Sequence, residues 1–163
     1  MGELMMQQKS PQDEVDSLFV RLNNDALLLP MSSVAEVIQH VDCEPQADAP
    51  AWLLGWVEWR KQRVPFISFE VLAGGDRQGD SEVSLALVMN TLNHSQNSAA
   101  GFPFYAIQIQ DFPHLVRISE DDQLQEISET TKTPHTTMKV GLDERVALIP
   151  DLESLEKYLS ENL

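Results

Sequence analysis

Cysteine, positive charge and long apolar runs are what this sequence has least of. A single cysteine, Cys43, leaves no partner for an internal disulfide and no thiolate cluster for zinc, so the chain suits a reducing compartment. Eleven Lys and Arg residues face twenty-six Asp and Glu, a formal charge of −15, which opposes non-specific attraction to nucleic acid or an anionic membrane surface. No window approaches the roughly 20 apolar residues that cross a bilayer. Met1 to Glu14 lack the basic start and apolar core of a signal peptide. These fourteen residues read as a flexible polar tail (1–14) ahead of one folded unit (15–163), and the expected location is cytoplasmic.

Chemical motifs are equally scarce. There is no glycine-rich phosphate loop, and the one glycine pair, Gly74-Gly75, sits in turn-like sequence with no helix opening behind it. His40, His94, His114 and His135 are scattered without metal-ligand spacing. No Gly-x-Ser-x-Gly elbow occurs, and nothing pairs Cys43 with a histidine, so nucleophilic catalysis lacks a candidate. Glu120, Asp121 and Asp122 stand on one acidic turn; a small hydrolase using them is the enzyme alternative, but no acid or base pairs with them in sequence. Neither metal nor cofactor is implied.

What is present is a succession of short strands. Leu18, Val20 and Leu22 alternate ahead of the turn Asn23-Asn24-Asp25 and the run Ala26 to Leu29, a first hairpin. Residues 33–38 read either as a helical turn or as extended chain, and 42–50 as a surface connection. Residues 70–82 carry turn and linker chemistry and divide the chain into halves that share a weak likeness. Strands follow over 82–92, 104–109 and 115–118, then a polar loop from Glu126 to Thr137, and a last hairpin turning at Asp143-Glu144. Asp151 then caps a short C-terminal helix with Leu152, Leu155 and Leu159 on one face. Nine or ten strands and one helix make an all-β barrel or sandwich.

The richest stretch is 50–69, which holds all three tryptophans and three of the eleven positive charges. It reads as a hairpin turning at Arg60 to Arg63. Alternation puts Trp56, Glu58 and Arg60 on one face and Val57 and Trp59 on the other, which would be core. Arg60, Lys61 and Arg63 form a basic patch suited to an acidic protein surface, and Trp56 could serve as an exposed aromatic anchor. Lys61 and Arg63 read equally well as a solvated turn.

Three segments resemble the CheW-like domain of bacterial chemosensory signalling. They are Leu29-Pro30-Met31-Ser32-Ser33-Val34-Ala35-Glu36-Val37-Ile38, Pro50 to Arg60, and Val64-Pro65-Phe66-Ile67-Ser68-Phe69. The resemblance implies two small SH3-like β-barrels sharing a hydrophobic core, and a non-enzymatic adaptor that couples chemoreceptor tips to a CheA-type histidine kinase. It also implies partner-binding roles for Val34, Glu36 and Arg60, to which the hairpin's own chemistry adds Trp56 and Arg63. Gly55 matches a family glycine of structural character.

The chain departs from the family pattern in three places. Lys61 replaces a glycine, so the turn must either avoid positive φ or strain a lysine. Ser68 and Glu70 replace the aspartate and arginine of the family ending, and Gln110 to His114 replace a valine-rich segment. These features suggest a divergent member, of a pilus-linked or other accessory pathway. Arg60→Ala and Glu36→Lys are both expected to weaken partner binding with little change in melting temperature.

Overall fold

The first hairpin forms where the alternation places it. In a computed structural model of the chain, β1 (Glu14–Arg21) and β2 (Ala26–Pro30) pair antiparallel, with Leu18 opposite Leu29 and Val20 opposite Leu27. Both faces of this hairpin are buried, since Phe19, Ala26 and Leu28 on the reverse side enter a second cluster. The structure describes residues 14–76, 85–92, 102–119, 124–127 and 133–163.

The ambiguous segment 33–38 takes the extended alternative from Val34 onward, and the helical turn lies just ahead of it. Met31–Ser33 is a single 3-10 turn, closed by the Ser33 hydroxyl on the Pro30 carbonyl at 2.6 Å, and β3 (Val34–Gln39) follows. The 42–50 connection contains a two-residue strand, β4 (Cys43–Glu44), laid against β5 (Leu53–Trp59). Next comes β6 (Gln62–Ile67), and then a departure from expectation: Phe69–Leu72 is a short helix, α1, rather than strand end and linker. Ser68 caps it, accepting from the Val71 amide at 3.4 Å, which offsets one of the unpaired N–H groups of a helix start.

The second half supplies β7 (Leu85–Asn90), β8 (Phe104–Ile109), β9 (His114–Ser119), β10 (Gln125–Glu126), β11 (Thr136–Leu142) and β12 (Arg145–Pro150). The stretch read as a loop from Glu126 to Thr137 is strand at both ends, since Glu126 pairs with β11 as part of β10 and β11 begins at Thr136. Helix α2 (Leu152–Asn162) is capped as its sequence requires, with the Asp151 carboxylate accepting from the Ser154 amide at 3.0 Å. Twelve strands stand among the described residues, ten once the two-residue β4 and β10 are set aside. The 93–101 loop and the acidic 120–122 turn lie outside them.

Strand grouping does not follow the two sequence halves. One six-stranded sheet has the order β10-β11-β12-β2-β1-β9 and the other β3-β7-β8-β6-β5-β4. The first is built from the two ends of the chain, joined where β12 runs parallel to β2 at Leu148 and Leu27. The second is the uninterrupted middle. Each curls around its own apolar cluster, Phe19, Leu28, Val140 and Ala147 in the first and Val57, Trp59, Phe66 and Val88 in the second.

A third, larger cluster lies between the sheets. Val20, Leu29, Ile67, Leu87, Ile107 and Ile109 from both sheets meet Leu155 and Leu159 of α2 there, all at 0% exposure. Each such side chain contributes about 1.5–3 kcal/mol of burial. The C-terminal helix thus closes the seam, and its Tyr158 ring meets Trp52 edge-on at 5.8 Å.

Candidate functional site

The hairpin of β5 and β6 is tighter than its charges suggest. Trp59 pairs with Gln62, so the turn holds only Arg60 and Lys61, and Arg63 already belongs to β6, opposite Glu58. Both turn residues are left-handed, at φ +50° and +62°. This is the geometry a two-residue hairpin demands and which Asn-Gly usually supplies. The chain therefore takes the strained alternative at Lys61, at roughly 1–2 kcal/mol for each side chain so placed.

Gly55 is fixed by two constraints at once. Its φ is +150°, and a Cβ there would stand 2.4 Å from the Glu44 carbonyl oxygen and 2.5 Å from the Cys43 sulfur. The register shifts between Leu53 and Gly55, which turns Leu53 toward the central core while Val57 and Trp59 enter the second barrel. The alternation expected for this strand holds: Val57 and Trp59 are buried, Trp56 is half-buried and Glu58 is exposed.

Trp59 links the barrel interior to the surface. Its ring packs edge-on against Phe104 at 4.7 Å, and its indole Nε1–H donates to Oε2 of Glu36 on β3. The Arg60 guanidinium lies 4.6 Å over the same ring, and its Nε is 4.0 Å from the same Glu36 oxygen. Arg60 and Glu36 keep 68% and 47% of their side-chain surface in water, so the pair adds at most about 1 kcal/mol to stability. What the arrangement does is hold a solvated guanidinium in one orientation, by an aromatic face and a carboxylate, on the rim of the barrel.

Val34 stands apart from this cluster, half-buried against the central core, and a bulge between Val34 and Glu36 separates their environments. Trp56 and Arg63 belong to a second grouping, on the outer face of the hairpin. The Trp56 indole donates to Gln46 Oε1 at 2.8 Å, the Arg63 guanidinium covers its ring at 4.9 Å, and Arg63 faces Glu44 at 3.9 Å. One face of Trp56 is thus covered by Arg63, and the ring is half-buried.

Sequence reasoning missed Trp59 as the link between Glu36 and Arg60, and Glu44 and Gln46 as neighbours of Trp56. A buried tryptophan at a strand end carries no mark of where its N–H goes. The short pairing of β4 left no periodic signal. Two departures from the family pattern turn out to be used internally. Ser68 caps α1, and Glu70, 7% exposed, accepts from the Asn24 amide at 3.1 Å and lies 3.4 Å from its side-chain nitrogen.

Among the described residues, no group of three or more His, Cys, Asp or Glu side chains is placed to hold a metal ion. Comparison with known proteins agrees with this architecture. The family model described as CheW-like domain matches residues 16–158. No curated protein matches the chain. Among solved structures, the crystal structure of the scaffolding protein TtCheW from Thermoanaerobacter tengcongensis is similar, with a TM-score of 0.64 over 83% of this chain and 88% of that one. Identity is 17%, so that likeness speaks for the fold, two SH3-like barrels, and for nothing finer.

Proposed function

Because the chain belongs to the CheW-like domain family, whose members are scaffolding proteins rather than enzymes, we propose that it is a cytoplasmic adaptor coupling chemoreceptor tips to a CheA-type histidine kinase. The observation that carries the reading is the Glu36–Trp59–Arg60 cluster. It presents an exposed, oriented guanidinium from a strained turn, and such strain is retained where the position is used. Trp56 and Arg63 extend the same hairpin as a second contact face, and Val34, at the start of the strand that carries Glu36, is the remaining candidate contact.

The test is calorimetric titration with a receptor cytoplasmic-tip fragment and, separately, with the kinase regulatory domain. Arg60→Ala should weaken one of them tenfold or more while the melting temperature stays within about 3 °C, as for surface changes generally. Unchanged affinity for both would sink the assignment.

A second reading is a scaffold in a pilus-linked or other accessory pathway with a different partner. Lys61 favours it, being the one departure from the family pattern that combines exposure with a place beside Arg60. Restoring glycine at 61 and comparing affinities for flagellar and pilus-linked kinases separates the two pathways.

No helix among the described residues is long and apolar enough to cross a membrane.

A further inference from the structure

Three cations converge on one groove of the first barrel, although the chain as a whole is acidic. Arg21 ends β1, Lys139 stands on β11 and Arg145 opens β12. All three line a groove of about 690 Å³, together with the apolar Phe19, Ile127 and Val146. Among the described residues that line it, the one carboxylate is Asp25. The other arginines among the described residues face acids, Arg60 with Glu36, Arg63 with Glu44 and Arg117 with Asp16. Arg21 and Arg145 have no such pair among the described residues.

The groove is built rather than incidental. Arg145 lies 4.9 Å over the Phe19 ring, which fixes the direction of its fork. Val146 beside it leaves 45% of its surface in water, a cost in hydration that a bound apolar group would relieve. The opposite wall, the Asn23-Asn24 turn, is held by the Leu22 amide on the Asp25 carbonyl at 2.8 Å and by Glu70 on the Asn24 amide. Glu70 is thereby turned toward the turn's own backbone and away from the lining of the groove.

We propose that this groove docks an acidic segment of a partner protein, one with carboxylates on both sides of an apolar residue. The arginines bind the carboxylates through charge-assisted, bidentate hydrogen bonds, and Val146 and Ile127 receive the apolar side chain. The net charge of −15 opposes approach of such a segment at long range. Screening beyond about 8 Å at physiological salt leaves the contact-range bonds to decide affinity. The groove shares no residue with the Glu36–Arg60 cluster and lies on the other barrel, so the proposal stands independently of the adaptor reading.

The probe is a capped peptide, Ser-Glu-Leu-Glu-Asp-Leu-Gly, titrated into the isotope-labelled full chain and followed by amide chemical shifts. Shifts should centre on Arg21, Ala26, Arg145 and Val146. Affinity should fall at least tenfold in the Arg21→Glu, Arg145→Glu double variant, and likewise for the peptide with amides in place of its carboxylates. Arg63→Glu should leave it unchanged. Should circular dichroism show the double variant unfolded, Arg145→Gln and Val146→Asp each carry the test, with at least a threefold loss expected. Equal binding of the amide peptide, shifts centred on residues 60–63, or the same shifts from inorganic phosphate alone would each overturn the proposal.

Discussion

Glu36 and Trp59 share a hydrogen bond although their strands, β3 and β5, are separated by three others in the order of their sheet. The bond spans the barrel's opening, so the carboxylate that orients Arg60 also satisfies a buried indole. This distinguishes two substitutions that look equivalent in sequence. Arg60→Ala removes an exposed charge. Glu36→Lys also leaves a buried N–H without its acceptor, and the expectation of an unchanged melting temperature does not extend to it.

Glu36→Lys and Glu36→Ala should therefore destabilise by about 1–3 kcal/mol. Glu36→Gln, which keeps an acceptor oxygen, should cost less than about 1 kcal/mol while still removing the charge facing Arg60. Urea unfolding of the three variants checks the order. Equal losses for Gln and Ala would mean that the indole bond contributes nothing.

The strained turn makes a prediction of the opposite sign. Lys61→Gly relieves a left-handed lysine at roughly 1–2 kcal/mol and gives back part of that in unfolded-chain entropy. A net gain of about 0.5–1 kcal/mol should appear as a melting temperature about 1–4 °C higher. Gly55→Ala places a methyl against a backbone carbonyl that cannot yield, and should cost roughly 3 kcal/mol. A loss below about 1 kcal/mol in thermal melts would show that β4 can move aside.

The α2 seam should respond to pH through two groups of opposite sense. Glu156, 7% exposed, accepts from the Leu92 amide at 2.6 Å, and its other oxygen has no hydrogen-bond partner among the described residues. Burial raises its pKa above the ordinary 4.5, the Leu92 bond lowers it and Glu153 raises it. The Tyr105 hydroxyl, buried on the facing strand, is pushed up by burial and by this carboxylate, and stays neutral. A raised carboxyl favours the folded state fully below pH 4.5 and loses that contribution as pH climbs through its folded value.

His135 lies 3.0 Å from the Ser154 hydroxyl, and its ring sits 5.0 Å from that of Tyr158 on the same helix, tilted by 58°. Burial lowers its pKa from 6.5, and Asp151 partly opposes this. Its contribution is present above pH 6.5 and is lost as pH falls through the lowered value. Glu156→Gln should therefore gain stability over the wild type near pH 7.5 and lose the gain near pH 4, whereas His135→Asn should flatten the acid side. Urea midpoints across this range read both, and a gain for Glu156→Gln that does not vary with pH would refute the linkage.

Capping at the same helix is a local matter with a local measurement. Asp151→Ala removes the acceptor for the Ser154 amide and should cost about 1 kcal/mol. Leu155→Ala, which opens a cavity in the central cluster, should cost about 2–5 kcal/mol. Should the cap variant equal the core variant, the helix would be held by its first turn rather than by its apolar face.

Features written in neighbouring residues were legible in the sequence. The burial of Val57 and Trp59 follows from period-two alternation, the Asp151 cap from one side chain at the head of an apolar stripe, and the Gly55 constraint from the family pattern. Pairings between distant segments were not. Nothing near Leu27 says that Leu148 will lie beside it, or that Ile67 will run parallel to Ile107. Glu70 and Ser68 sit in what reads as linker, and only the folded chain shows one bound to Asn24 and the other capping α1. In the candidate site, Arg60 and Glu36 were named by resemblance. The tryptophan that joins them was assigned to the core alone, because one residue doing two jobs leaves one periodic signal.

The sheet assembled from both chain ends has a consequence for the order of events during synthesis. The second barrel is contiguous from Val34 to Ile109, with β4 among its strands, so all of them exist before β9 is made. The first barrel waits: β1 and β2 emerge earliest, yet β2 meets its other neighbour only when β12 is finished, more than a hundred residues later. Such distant pairing is slow to form, and a nascent chain holds β2's apolar edge unpaired meanwhile. Chains stalled after Ile109 should show hydrogen-exchange protection in β5 to β8 and little in β1 and β2. Completion of the last hairpin is then the step that locks the molecule.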